Sequence, residues 1–215
     1  MTTSTPTPEA AAPDARAKSA ARLVMALTIA RFAAAPIVAG LILWGHNAAF
    51  TQGPAAMGTL YALALLIFGL AALTDWADGA IARRMGVTST LGAALDHAAD
   101  KVLTSVTLIA LVYALLPLPL VIAALILIGR DFAIAGLREG LAGAGPAVAF
   151  AGKLKSAAAM IGVASILAEA AAGAFGWPLA AIRIFDWAGH AGLWAAAALA
   201  LFSAALYVRA AVSPA

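Results

Sequence analysis

Apolar runs of about 20 residues follow one another along this chain from residue 23 to residue 210, separated only by short polar or Gly/Pro segments. An α-helix rises ~1.5 Å per residue, so each run matches the ~30 Å hydrocarbon core of a bilayer. Reading the runs between their breaks gives helices near 23–44, 55–82, 91–115, 118–141, 153–173 and 187–210. The breaks are 45–54, 83–90, the Pro117 and Pro119 pair, 140–152 and 173–186. Composition agrees, because 64% of the 215 residues are hydrophobic and only 11% are charged, against roughly 25% charged in an ordinary soluble domain. The expectation is an all-α integral membrane protein whose six transmembrane helices form one domain over 20–215. Residues 1–19, rich in Thr, Pro and Ala, lack the apolar core of a secretory signal and are expected to form a flexible or amphipathic N-terminal segment. Around 15–21, Arg16, Lys18 and Arg22 fall among alanines, the pattern of a short amphipathic helix on the membrane surface; a disordered tail is the alternative.

Charge sets the orientation. Of the thirteen Lys and Arg, only Arg183 falls outside the amino-terminal segment, the second and fourth connections, the carboxyl end and the span ends that adjoin them. Positive residues gather on the cytoplasmic side, so both termini are expected in the cytoplasm. The net charge of +3 then reflects topology and contact with anionic lipid, and no nucleic acid partner is expected. The chain has no cysteine, which excludes disulfides, thiolate metal sites and cysteine nucleophiles. No internal repeat is evident, which weighs against transporters built from repeated halves.

Against this apolar background stand Asp75, Asp78, Asp96 and Asp100. The first pair is spaced by three and the second by four, so on helices each pair projects from one face. Both pairs lie at the cytoplasmic ends of the second and third spans, and an antiparallel pairing of these spans brings all four acids toward one point. Carboxylates in a membrane are costly and mark function by default. Two unit charges ~4 Å apart at an effective dielectric near 20 repel by about 4 kcal/mol, so either most of the acids are protonated or a cation sits among them. Oxygen ligands without Cys or clustered His favour Mg²⁺ or Mn²⁺ over zinc. Two such ions would suit phosphoryl transfer. The competing readings are acids merely paired with Arg83, Arg84 and Lys101, and a proton or cation pathway. Gly79, Ala82 and Gly92 favour a bulky nucleotide lying across the acids, since small residues let a ligand approach the backbone. Taken singly, each of the three reads better as helix packing, because Gly and Ala are frequent throughout this chain.

The string Asp75-x-x-Asp78-Gly79-x-x-Ala82-Arg83-x8-Gly92-x3-Asp96-x3-Asp100 resembles the complete signature of the CDP-alcohol phosphotransferases. That resemblance implies six transmembrane helices, usually in a homodimer, around a cytoplasmic-facing polar cavity. It implies that Asp75, Asp78, Asp96 and Asp100 bind two divalent ions, Mg²⁺ or Mn²⁺, and that Asp100 doubles as general base. It places the CDP group at Asp78, Gly79, Ala82, Arg83 and Gly92, with Thr28 from the first helix.

A wider likeness runs from Leu27 to Ser156, through Leu27-Thr28-x-x-Arg31-x4-Pro36, Arg130-Asp131-x6-Arg138-Glu139 and Gly152-Lys153-x-Lys155-Ser156. It is to the branch of the family that uses glycerol 3-phosphate as acceptor. Arginine can fork onto a phosphate and lysine can meet it as a point charge. Arg130, Arg138, Lys153 and Lys155, with Arg31, are therefore the expected anchors of the acceptor phosphate. The implied reaction takes CDP-diacylglycerol and glycerol 3-phosphate to phosphatidylglycerol phosphate and CMP at the bacterial inner membrane. A sister enzyme acting on inositol phosphate, serine or phosphatidylglycerol is the nearest alternative, and a cation or proton transporter is the alternative of another class. Arg22-Leu23-Val24 stands where relatives often carry Asn-x-Pro, His97 where many have Pro, and Ser156 where they have Thr.

Overall fold

The computed structural model describes residues 15–85, 90–140 and 149–212; within these, the side chains of 75–85, 138–140 and 153, among others, lie outside the description. The described chain is six α-helices: α1 (Ala15–Thr51), α2 (Pro54–Met85), α3 (Thr90–Ala114), α4 (Leu118–Gly140), α5 (Ala149–Ala174) and α6 (Leu179–Val212). Each contains a stretch long and apolar enough to cross a membrane, as the sequence requires of a multi-pass protein.

Three boundaries differ from the sequence reading. The first break shrinks from 45–54 to the turn at Gln52 and Gly53, and α1 continues to Thr51. Gly45 is buried in α1, where a Cβ would stand 3.4 Å from the ring of Tyr61; it serves helix contact rather than chain termination. The last break shrinks from 173–186 to a turn ending at Pro178, where Gly176 takes a left-handed φ of +69° that side-chain-bearing residues avoid. Ala181 and Ile182 then donate backbone hydrogen bonds to the Pro178 carbonyl, so Arg183 and Asp186 lie inside α6. Finally, residues 15–21 are the opening turns of α1 rather than a separate surface helix. At ~1.5 Å per residue the 37 residues of α1 extend about 55 Å, well beyond a ~30 Å core.

The helices close into a ring. α1 packs along α2 and α3, α2 reaches α5, α5 lies on α6, and α6 meets α4. Among the described residues the ring is closed only lightly, by α3 against α4, and α3 also touches α5. Tyr61, Phe68, Leu103, Leu111, Leu167 and Leu193 are fully or almost fully buried in its interior. Lipid cannot drive helices together by hydrophobicity, since acyl chains are as apolar as leucine; close packing has to do it. The α5–α6 contact shows how: a Cβ on Gly192 would lie 2.7 Å from Cα of Gly162. Gly136, the start of a Gly-x-x-x-Gly spacing in α4, has open space around it instead. Replacing Gly192 with valine should therefore cost about 1–3 kcal/mol, by forcing α5 and α6 apart. Thermal unfolding in detergent should show a lowered midpoint for Gly192→Val. Gly40→Ala, at an exposed site with nothing within 4 Å, should be neutral or mildly stabilising.

Candidate active site

Successive helices run antiparallel, so the N-terminal halves of α1, α3 and α5 share one end of the bundle with the C-terminal halves of α2, α4 and α6. Most of the expected site residues belong to that end. Asp96 and Asp100 lie one turn apart on α3, within its membrane-spanning stretch. Asp96 keeps about a third of its side chain exposed, whereas Oδ1 of Asp100 is sealed from solvent. Asp75, Asp78, Gly79, Ala82 and Arg83 occupy the last turns of α2, but their side chains lie outside the described residues. The same holds for Arg138 at the end of α4 and Lys153 at the start of α5. Gly92 sits in the first turn of α3, and Thr28 is buried on α1 one turn before Arg31.

Asp100 lines a narrow cleft between α3, α4 and α5, with Lys101, Thr104, Ser105, Asp131, Lys155 and Ser156 among its walls. The cleft joins an acid of the signature to a member of the basic cluster. Its free volume is about 20 Å³, room for roughly one water molecule. Lys155 is buried and donates to both carboxylate oxygens of Asp131, at 2.6 and 2.7 Å. Arg130 completes the cluster from behind. Its Nη1 donates to Asp131 Oδ1 at 3.0 Å, its Nη2 to Ser203 Oγ at 2.7 Å, and its Nε to the Ala200 carbonyl at 3.3 Å. Arg130 thus ties α4 to α6, and Asp131 holds both cations. Ser203, on which this depends, was not singled out in the sequence; its only signal is a serine in an alanine-rich helix.

Arg31 does not join this cluster. Its guanidinium is fully buried on α1, where Nη1 donates to Asp96 Oδ1 at 2.7 Å and Nε to the Ala71 carbonyl at 3.3 Å. The sequence pattern grouped Arg31 with the phosphate anchors because basic residues at one membrane face look alike in one dimension. Burial against α2 and α3 distinguishes it.

Of the four acids expected to hold metal, only Asp96 and Asp100 have described side chains, and no cluster of three metal-ligating residues forms among the described residues. The donors that are present, two carboxylates one turn apart in a cysteine-free chain, have the hard oxygen chemistry that Mg²⁺ or Mn²⁺ prefers. A roomier groove of about 840 Å³ runs between α1 and α3 past Leu43, His46, Phe50 and Tyr113. It lies at the opposite end from the acids and is largely apolar, so it is not the reaction site.

Comparison with known proteins identifies the family. A sequence profile described as CDP-alcohol phosphatidyltransferase matches residues 22–202. Among similar proteins is the CDP-diacylglycerol--glycerol-3-phosphate 3-phosphatidyltransferase of Bacillus subtilis (strain 168), 37% identical over 148 residues, or 66% of this chain and 74% of that one. The protein of the same name from Pseudomonas fluorescens is 36% identical over 157 residues, covering 70% and 75%. That from Escherichia coli (strain K12) is 35% identical over 153 residues, covering 69% and 78%. With the signature acids on α2 and α3 inside the matched region, this chain belongs to the CDP-alcohol phosphatidyltransferase family.

Proposed function

We propose that this protein is a phosphatidylglycerophosphate synthase, which moves the phosphatidyl group of CDP-diacylglycerol onto glycerol 3-phosphate and releases CMP. The observation that carries the reading is the cleft in which Asp100 and the Lys155–Asp131 pair line one cavity. It supports reading Asp100 as proton acceptor and Lys155 as phosphate anchor, in a chain 35% identical or more to relatives bearing that enzyme's name.

Each residue group has a distinct task. The acceptor phosphate is held by Lys155, with Arg130 behind it and Arg138 and Lys153 arriving from the fourth connection. Asp100 removes the proton from the acceptor hydroxyl as its oxygen bonds to the phosphatidyl phosphorus and the bond from that phosphorus to CMP breaks. Asp78, Gly79, Ala82, Arg83, Gly92 and Thr28 receive the CDP group, the small residues allowing the nucleotide close to the backbone. Asp75, Asp78, Asp96 and Asp100 would hold two ions of Mg²⁺ or Mn²⁺, whose charge would offset that of the pyrophosphate and the departing CMP. The bias of Lys and Arg would put this end at the cytoplasmic face of a bacterial inner membrane, on the side where water-soluble glycerol 3-phosphate is found. A homodimer is the assembly that the family resemblance favours.

Radiolabelled CDP-diacylglycerol in detergent with Mn²⁺ should release CMP with glycerol 3-phosphate and not with inositol phosphate or serine. Release with another acceptor alone would reassign the enzyme within its family, and ion flux in proteoliposomes without nucleotide would remove it from this chemistry. Asp100→Asn should lower kcat by at least about 100-fold, since a neutral amide cannot take the proton. CDP-lipid binding should stay measurable in this variant. Lys155→Ala should raise the KM for glycerol 3-phosphate more than that for CDP-diacylglycerol, in initial-rate assays that vary each substrate. Arg130→Ala should act first on the thermal midpoint, because it severs α4 from α6.

A further inference from the structure

Arg31 makes contacts that neither its place in the sequence nor the proposed phosphate cluster accounts for. A cation with no solvent exposure is held in place by what surrounds it, and here it is shared between two other helices. Its Nη1 meets Asp96 on α3 at 2.7 Å and its Nε meets the Ala71 carbonyl on α2 at 3.3 Å. Ala71 lies one helical turn ahead of Asp75, and its carbonyl also accepts from Thr74 Oγ1 at 2.8 Å. The guanidinium therefore touches α3 at one signature acid and α2 one turn from another. Among the described residues α2 and α3 touch each other little, while α1 packs along both. Since α1 packs along both, it helps set the relative placement of the acid-bearing turns, and Arg31 is a polar link that α1 provides.

We propose that Arg31 is a positioning residue that sets the spacing of the acid-bearing turns of α2 and α3 for divalent-cation binding. The proposal rests on the reading that these aspartates hold the ions. The planar fork suits the task, since its separated donors can face two helices at once, whereas a lysine offers one compact charge. Engaging Oδ1 of Asp96 restrains the rotation of that carboxylate, which keeps about a third of its side chain exposed. Outer partners of metal-ligating carboxylates commonly act in this way. The same burial argues against a direct role with the acceptor, because an incoming phosphate would find no accessible guanidinium surface.

The test is Mn²⁺ binding to purified full-length protein in detergent without substrate, read by the loss of the free-Mn²⁺ electron paramagnetic resonance signal. Wild type is compared with Arg31→Lys, and each is checked for a monodisperse profile and a cooperative melt. The variant should bind Mn²⁺ about 10–100-fold more weakly. Its Mn²⁺ activation curve should shift in parallel, while the KM for glycerol 3-phosphate at saturating metal stays within about twofold of wild type. Unchanged Mn²⁺ affinity with a raised KM for glycerol 3-phosphate would overturn the proposal and return Arg31 to the acceptor site. A variant that fails to fold would also overturn it, making the residue a determinant of the fold. Absence of Mn²⁺ binding by the wild type would instead sink the underlying metal reading.

Discussion

A charge buried inside this bundle persists only where a counter-charge meets it, and for Arg31 and Lys155 another helix supplies it. At the reactive end that requirement governs which helices meet. Arg31 on α1 is answered by Asp96 on α3, and Lys155 on α5 and Arg130 on α4 are answered by Asp131, with Ser203 and the Ala200 carbonyl of α6 taking further donors. Removing one member of a buried pair costs about 3–5 kcal/mol, because the survivor is left uncompensated. In a medium that gives apolar surfaces no reason to associate, such pairs specify neighbours. Every described helix but one contributes a side chain to these pairs, and α2 contributes the carbonyl of Ala71.

The other end is organised differently. From the middle of the bundle toward that end, the closest contacts between helices are steric: Gly192 on Gly162 between α5 and α6, Gly58 close to Ala174 and Phe175 between α2 and α5, and Gly45 beside Tyr61 between α1 and α2. Close backbone approach leaves these interfaces little freedom to adjust, since an added Cβ at Gly192 or Gly58 would already collide. The bundle thus joins an end locked by small residues to an end held by ion pairs, and the substrates are themselves charged. A phosphate or a divalent ion can compete for partners in an ion-paired region, whereas it has no purchase on a glycine seam.

How far the sequence anticipates this follows from the same division. Six spans, their alternation and the assembly of Asp96, Asp100, Asp131 and Lys155 at one end are legible because bilayer thickness and helical period are one-dimensional rules. The ends of α1 and α6 are not, because Gly45 and Gly173 look like breakers in one dimension and prove to be helical residues in three. Antiparallel pairing of the second and third spans alone appears sufficient to gather the acids when only spacing is considered. The packing of α1 along both of them, and with it the contacts of Arg31, is tertiary information. Arg130 is the parallel case: its partner Ser203 stands 73 positions away on α6, and no periodicity links the two.

The closed cleft bears on how an acceptor is received. Its volume of about 20 Å³ suits a water and falls far short of glycerol 3-phosphate, so on the proposed function the walls would part for an acceptor to bind beside Asp100. The light contact between α3 and α4 borders the cleft, and separating these helices sacrifices less packing than opening any glycine seam. Lys155 is already satisfied by Asp131, so a phosphate reaching it must exchange with that carboxylate. Arg130 limits the cost, because it keeps its hold on Asp131 from the far side and the displaced acid is not left without a cation. A neutral alcohol that carries neither phosphate nor carboxylate offers nothing to replace Asp131 on the lysine. On the proposed function, exchange of one anion for another would select for a phosphorylated acceptor before its hydroxyl comes near Asp100.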